Sequence, residues 1–275
     1  MKKILNFWVR ISYQILRSFA IGRFILELLI YQIRNNTFRI SHQSLFKFYT
    51  PNDLNLFRAK TFSTKEPETL EWIDKFVEQS VFWDIGANIG LYSIYAAKIR
   101  KCQVFSFEPS VFNLELLAKN IHVNNLVDSI TIVPLPLTNQ LGINQLNMSN
   151  TEWGGALSTF GERYGHDGKE FNKQFVFATI GISVDEAIEK LHIPIPEHIK
   201  IDVDGIEHLI LSGGKKVLSH VKSVLIEIND DFEEHSKYAR EILLSSGLRL
   251  KEKNGLGNFS VNLSNSTFNQ IWIRE

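Results

Sequence analysis

Asp84-Ile85-Gly86-Ala87-Asn88-Ile89-Gly90 follows directly on the apolar run Val81-Phe82-Trp83 and leads into Leu91, Tyr92, Ile94 and Tyr95. A buried strand that ends in such a turn and feeds a helix brings backbone N–H groups up to a ligand with no Cβ atoms in the way. Roughly 20 residues past the turn, a second strand-like run, 103–107, ends in Glu108-Pro109. That spacing sets a carboxylate against a ribose diol at the neighbouring strand tip. A crevice for a nucleoside cofactor is therefore expected. A second acidic group, Asp202, Asp204 and Glu207, follows the run Ile199-Lys200-Ile201. Its members are candidates for taking a proton from an acceptor or orienting it.

The glycine pattern separates two cofactor classes. Dinucleotide sites use G-x-G-x-x-G to cradle a pyrophosphate, whereas here Asn88 stands where such a cradle wants glycine. Asp84-x-Gly86-x-Asn88-x-Gly90 resembles motif I of the class I S-adenosylmethionine-dependent methyltransferases, and Phe107-Glu108-Pro109 resembles their ribose-binding acidic loop. The run from Ile199 to Glu207 resembles the K-I-D-V-E-G-x-E signature of the FkbM family within that class, with Asp204 where the family usually carries Glu. The resemblance extends from about Glu66 to the C-terminus. It implies S-adenosyl-L-methionine as cofactor and O-methylation of a hydroxyl on a sugar, glycan or natural product. Two other classes stay open beside it: a non-catalytic scaffold that keeps the fold, and a nicotinamide-dependent oxidoreductase.

On this reading Asp84, Gly86, Asn88, Gly90, Glu108 and Pro109 form the cofactor site. Asp84 either fixes the turn through loop amides or reaches the methionine amino group through water, and Asn88 suits either job. Glu108 is expected on the ribose, its alternative being an acidic cap for the helix that follows. Glu66 resembles a glutamate facing the cofactor amino group, or it is simply an acid at a helix start. Asp202 is the first candidate for general base, with Glu207 and Asp204 next; as alternatives they cap a helix over 206–218. Glu227 either bonds the acceptor or braces the sheet. His166 and His208 are weighed as proton carriers against plain solvation, and Trp153 and Tyr164 as sugar-stacking rings against lid packing. Three close carboxylates also suit Mg²⁺, but a cap cluster explains them equally, so no metal is expected.

With 275 residues the chain allows one large α/β domain and an appendage. The net charge of zero lacks the basic field of a nucleic-acid binder, so the expected partner is a small-molecule or glycan acceptor. The single cysteine, Cys102, precedes an apolar strand and reads as a buried small residue. The sequon Asn262-Leu263-Ser264 means little without secretion, and a reducing cytoplasm is the simplest compartment. Residues 1–34 form an amphipathic helical segment. Ile4, Trp8, Ile11, Ile15 and Phe19 share one face, and Lys3, Arg10 and Arg17 line the opposite one. Lys2, Arg23 and Arg34 add positive charge against the lone acid Glu27. Such a segment packs on its own domain or on a second subunit in a homo-oligomer, or lies peripherally on the anionic inner face of a membrane.

The remaining elements follow from their patterns. Residues 35–80 read as short strands, a turn at Thr50-Pro51-Asn52, and a lead-in helix with Thr64 as cap and Pro67 in its first turn. Residues 81–275 form the catalytic domain. Strands at 81–85, 103–107, 129–133, 198–202 and 222–228 alternate with helices at 90–99, 111–122, 206–218 and 233–246. Strands over 247–252 and 270–274 close the chain as an antiparallel hairpin. The fold class is thus α/β, a Rossmann-like doubly wound, mostly parallel seven-stranded sheet with an antiparallel last strand, plus the N-terminal helical and short-strand extension. Residues 135–197 interrupt it as a substrate-side insertion, with a strand at 175–180 and a helix capped around Ser183.

Overall fold

A computed structural model describes residues 1–165, 167–170, 172–255 and 266–275. Candidate His166 and the sequon at Asn262 lie outside the described residues. Helices α1 (Lys2–Arg17) and α2 (Ala20–Asn35) precede a β-hairpin of β1 (Thr37–His42) and β2 (Ser44–Tyr49), then α3 (Asp53–Lys60) and α4 (Pro67–Asp74). The sheet begins with β3 (Val81–Ile85), α5 (Leu91–Ile99), β4 (Gln103–Phe107), α6 (Val111–Val123) and β5 (Ile130–Val133). The insertion holds β6 (Leu137–Thr138), β7 (Gly142–Met148), β8 (Ser158–Phe160), β9 (Phe175–Ser183) and α7 (Val184–Leu191). The chain returns through β10 (His198–Ile201), α8 (Glu207–Ser212), α9 (Lys215–Leu218), β11 (Ser223–Asn229), α10 (Glu233–Ser245), β12 (Arg249–Gly255) and β13 (Thr267–Ile273).

The strand order of the main sheet is β12-β13-β11-β10-β3-β4-β5. β11, β10, β3, β4 and β5 run parallel, and β13 alone runs antiparallel, between β11 and β12. Because the chain leaves β3 toward β4 on one side and reaches β10 on the other, the crevice of this open sheet falls at the carboxyl end of β3. Alternate residues of the strands fill two cores. Trp83, Ile85, Ile199, Ile201 and Phe107 are buried with the insertion's Leu146 and Phe160. Phe82, Val104 and Leu225 are buried on the other side with Phe46, Phe48, Phe62 and Tyr95. The β1–β2 hairpin and the lead-in helices therefore share a core with the sheet.

Several expectations need correction. The predicted helix over 206–218 is two short helices, α8 and α9, separated at Gly213-Gly214. Cβ atoms at these glycines would stand 2.6 Å from the Thr138 carbonyl oxygen and 2.9 Å from Val184 Cβ, so the break lets the insertion pack closely. Thr64 does not cap α4; the N-cap is Glu66, and the Thr64 hydroxyl donates to Thr61 O (3.3 Å). Asn52, expected in a turn, opens a helix, α3, that the sequence reading did not contain, its side chain accepting from Asn55 N–H. The predicted single N-terminal helix is two, α1 and α2, parted at Ser18-Phe19. The insertion is more ordered than a loop: β6-β9-β7-β8 form a second sheet. Ser183 caps α7 in a full capping box with Glu186.

Candidate active site

The turn after β3 is held in the left-handed region at Gly86 (φ +83°) and Asn88 (φ +51°). A Cβ on Gly86 would stand 1.9 Å from the Asp202 carbonyl oxygen, so glycine here satisfies both the dihedral and the approach of the β10 tip. The N–H groups of Gly86 and Ala87 both donate to the Phe107 carbonyl (3.0 Å each), lacing this turn to the tip of β4. The Asn88 N–H donates to Glu108 Oε2 (2.8 Å) and the Ser110 N–H to Glu108 Oε1 (2.8 Å). These amides point inward, so the turn offers no pyrophosphate cradle, which argues against a dinucleotide.

Glu108 is 5% exposed and lines a cavity of about 310 Å³ at the strand tips, with Pro109 beside it. Burial pushes its carboxyl up to about 7, against the pull of the Ser110 and Asn88 amides. Each of its oxygens accepts one backbone amide. The fixed orientation suits a pair of neighbouring hydroxyls. One wall of the cavity is apolar, from Phe107, Leu135 and Leu137. Helix α3 adds Leu54, Phe57 and Arg58. Asp202, Asp204 and Glu227 stand together in the same lining.

Beneath the turn lies a charged cluster set by strand register. Lys200 of β10 pairs directly with Asp84 of β3, so both side chains enter the same face. Lys200 is 1% exposed; its ammonium donates to Asp202 Oδ2 (2.7 Å) and lies 4.9 Å from the Tyr92 ring centroid. Burial disfavours that ammonium, but Asp202, Glu66 and Asp84 outweigh the penalty and hold it above its ordinary value. Buried Glu66 accepts from Lys65 Nζ (2.8 Å) and the Tyr92 hydroxyl (2.8 Å). Burial opposes its charge, yet the Lys65 and Lys200 cations bring its carboxyl down to about 2. Glu66, Lys65, Arg58, Lys200 and Asp202 flank a smaller cavity of about 60 Å³ behind the turn. The two cavities share Arg58, Lys65, Gly86, Asn88 and Asp202 in their linings.

Three sequence assignments change at this point. Asp84 does not bond loop amides: its Oδ2 accepts from Ser93 Oγ on α5 (2.5 Å), and its buried Oδ1 has no partner among the described residues. The Asn88 Nδ2 donates to the Gly155 carbonyl (2.8 Å) and so tethers the insertion, a role the sequence did not suggest. Asp204 Oδ2 accepts the N–H groups of Leu157 (2.7 Å) and Ser158 (3.2 Å), pinning the insertion over the cavity. Glu207 turns away: its Oε1 accepts the Gly205 N–H (3.1 Å), and it lines a separate cavity of about 20 Å³ with His208 and His235. Burial pushes Glu207 up to about 7 and His208 down to about 4, and neither lines the main cavity.

Glu227 lines the main cavity with no side-chain hydrogen bond among the described residues, and burial with Asp202 nearby pushes its carboxyl well above the ordinary range. Trp153 and Tyr164 are absent from the lining. The Trp153 carbonyl accepts from Asn52 and Asn55, and Tyr164 packs edge-on against Phe232. Cys102 is buried and its thiol pushed up to about 12, so it is no nucleophile. Sequence reasoning passed over Lys65, Arg58 and Lys200. Only Lys200 carried a signal, a lysine inside an otherwise apolar strand.

A doubly wound sheet whose central strand ends in this turn, with a buried carboxylate just past the tip of the next strand, is the architecture of a class I methyltransferase. The Methyltransferase FkbM domain matches residues 84–250, and the chain belongs to that family. A Haloferax volcanii relative, "Hexuronic acid methyltransferase AglP", is 27% identical and is matched over 57% of this chain and 59% of its own length. The chain thus spans less than two thirds of that relative. Among solved structures, Precorrin-6y C5,15-methyltransferase from Geobacter metallireducens GS-15 is 15% identical, with 83% of this chain and 93% of that chain covered and a TM-score of 0.44. M. jannaschii TYW2 in complex with AdoMet is 13% identical, with 87% of both chains covered and a TM-score of 0.43.

The cofactor of the class is S-adenosyl-L-methionine, and the residues present fit it. Glu108 offers two oriented acceptors for a ribose, and Phe107, Leu135 and Leu137 offer an apolar wall for a base. The smaller cavity sets the Lys65 and Arg58 cations beside Glu66 and Asp202, the complement of a zwitterionic amino acid.

Proposed function

We propose that the chain transfers a methyl group from S-adenosyl-L-methionine to a hydroxyl of a sugar or glycan, with Asp202 as the group that orients the acceptor and takes its proton. One observation carries this reading. Asp202 stands at the junction of the two cavities, its side chain 31% exposed, while its ion-pair partner Lys200 is sealed at 2%. When bound, the cofactor supplies an electrophilic methyl on a sulfonium. Positioning then does most of the work, because an in-line approach needs an oriented acceptor and little else. Lys200 fixes one oxygen of Asp202 and leaves the other for the acceptor O–H. As the new C–O bond forms and the C–S bond breaks, that proton passes to Asp202 and the sulfur keeps the bonding electrons. Glu227, whose carboxyl burial pushes well above its ordinary range, lines the same cavity and is placed to bond a second acceptor oxygen. The insertion, pinned by Asn88, Asn113 and Asp204, forms part of the cavity wall beside the acceptor.

The hexuronic acid in the name of the Haloferax relative supports a sugar acceptor. The test is incubation with methyl-labelled S-adenosyl-L-methionine and a panel of neutral sugars and uronates, followed by mass spectrometry. An alkali-stable product heavier by one CH₂, lost roughly 100-fold or more in Asp202→Asn, is expected. An alkali-labile methyl ester would overturn the hydroxyl acceptor, and undiminished turnover by the variant would overturn the role of Asp202.

A further inference from the structure

Helices α1 and α2 take no part in the site, and their surface is unlike the rest of the molecule. Trp8 is 58% exposed, Ile21 70%, Phe24 59% and Leu29 51%, with Ile4, Phe7, Ile15, Leu28 and Ile33 exposed as well. The two helices pair closely: a Cβ on Gly22 would stand 1.9 Å from the Leu16 carbonyl oxygen. Among the described residues, the polar contacts of this pair with the body lie at the end of α2, where Arg34 pairs with Glu115 (2.5 Å) and Lys119 Nζ donates to the Arg34 carbonyl (2.6 Å). A helical pair that buries so little of its apolar surface is covered by something else.

Charge decides what covers it. Lys3, Arg10, Arg17 and Arg23 have no ion-pair partner among the described residues, and Glu27 is the only acid in either helix. A second copy carries the same basic surplus and offers it no opposite charge, whereas an anionic bilayer answers both the apolar and the basic residues. Each helix has 16 residues, about 24 Å of rise, short of the roughly 30 Å of hydrocarbon in a bilayer. No helix among the described residues is long and apolar enough to cross a membrane. We propose that α1 and α2 dock the protein on an anionic lipid bilayer, lying in the headgroup plane without spanning it. This holds whatever the acceptor proves to be.

The experiment is vesicle co-sedimentation of the full chain with phosphatidylcholine alone and with a phosphatidylglycerol-rich mixture. Binding to the anionic vesicles is expected to exceed that to the neutral ones by roughly tenfold or more at low salt, and to fall as salt rises. Trp8 emission should shift to the blue on binding, a change absent in Trp8→Phe. Phe24→Glu with Leu28→Glu, and separately Arg10→Glu with Arg17→Glu, should each abolish sedimentation with vesicles. All four side chains are exposed, so the melting temperature should stay with that of the unchanged chain. A chain that remains in the supernatant with anionic vesicles at low salt overturns the proposal. So does a stable dimer, seen by analytical ultracentrifugation, that Phe24→Glu with Leu28→Glu dissociates and that does not bind vesicles. The salt dependence and the Trp8 shift are read on the unchanged helices, so an ill-folded variant does not blunt the test.

Discussion

Glu108→Gln separates the stability of the crevice from its purpose. Burial raises the Glu108 carboxyl from its ordinary 4.5 to about 7 in the fold. The native state therefore holds a proton that the unfolded chain has already released between those pH values, and stability falls as pH rises through the window. Each pKa unit corresponds to about 1.4 kcal/mol, so the ionised carboxylate costs the unliganded fold on the order of 2–3 kcal/mol between pH 5 and pH 8. Glutamine cannot ionise and escapes that cost, although it leaves one of the Asn88 and Ser110 amides without its acceptor, a loss of about 1–3 kcal/mol at every pH. Urea denaturation at both pH values should show the stability difference, variant minus unchanged chain, moving by about 2–3 kcal/mol in favour of the variant on going from pH 5 to pH 8. Calorimetric titration with S-adenosylhomocysteine at pH 8 should move the other way. Hydrogen bonds to a charged acceptor are worth about 1.5–3 kcal/mol each, so the variant should bind roughly 10-fold to 100-fold more weakly. Parallel stabilities at the two pH values would refute the strained carboxyl, and unchanged affinity would refute its place at the ribose.

Gly86→Ala forces a side chain into a left-handed dihedral, at about 1–2 kcal/mol, and into the Asp202 backbone; urea denaturation should show at least that loss, and binding of S-adenosylhomocysteine should vanish. Lys200→Met strands the carboxylates of Asp84, Glu66 and Asp202 around an uncharged side chain; thermal or chemical unfolding should register a loss of about 3–5 kcal/mol. Asp204→Ala frees the Leu157 and Ser158 amides, about 1–3 kcal/mol of anchoring for the insertion. With an acceptor in hand, that variant should show a raised acceptor KM while its affinity for S-adenosylhomocysteine stays close to that of the unchanged chain.

What could be read from the residues alone was what neighbours along the chain decide. The period of the apolar strands located β3, β4, β10 and β11, the glycine turn located the crevice, and the distance from Gly86 to Glu108 located its acid, because backbone sterics and strand alternation act within a few residues. The Ser183 cap was legible for the same reason. The signature from Lys200 to Glu207 announced its acids together, but adjacency in sequence does not fix the direction of a side chain past the end of a strand. The tertiary structure sends Asp202 to the cavity, Asp204 to the amides of the insertion, and Glu207 to the far side of its own loop. Likewise, nothing local could show that Lys200 meets Asp84, since that pairing depends on β10 lying beside β3 in the sheet. Arg58, Phe57 and Leu54 reach the site only because the hairpin core of Phe46, Phe48 and Phe62 carries α3 to the strand tips. Local order follows from dihedral preference and periodicity. Which side chains converge on one cavity is decided by strand order and by long-range burial, and those exist only once the sheet is assembled.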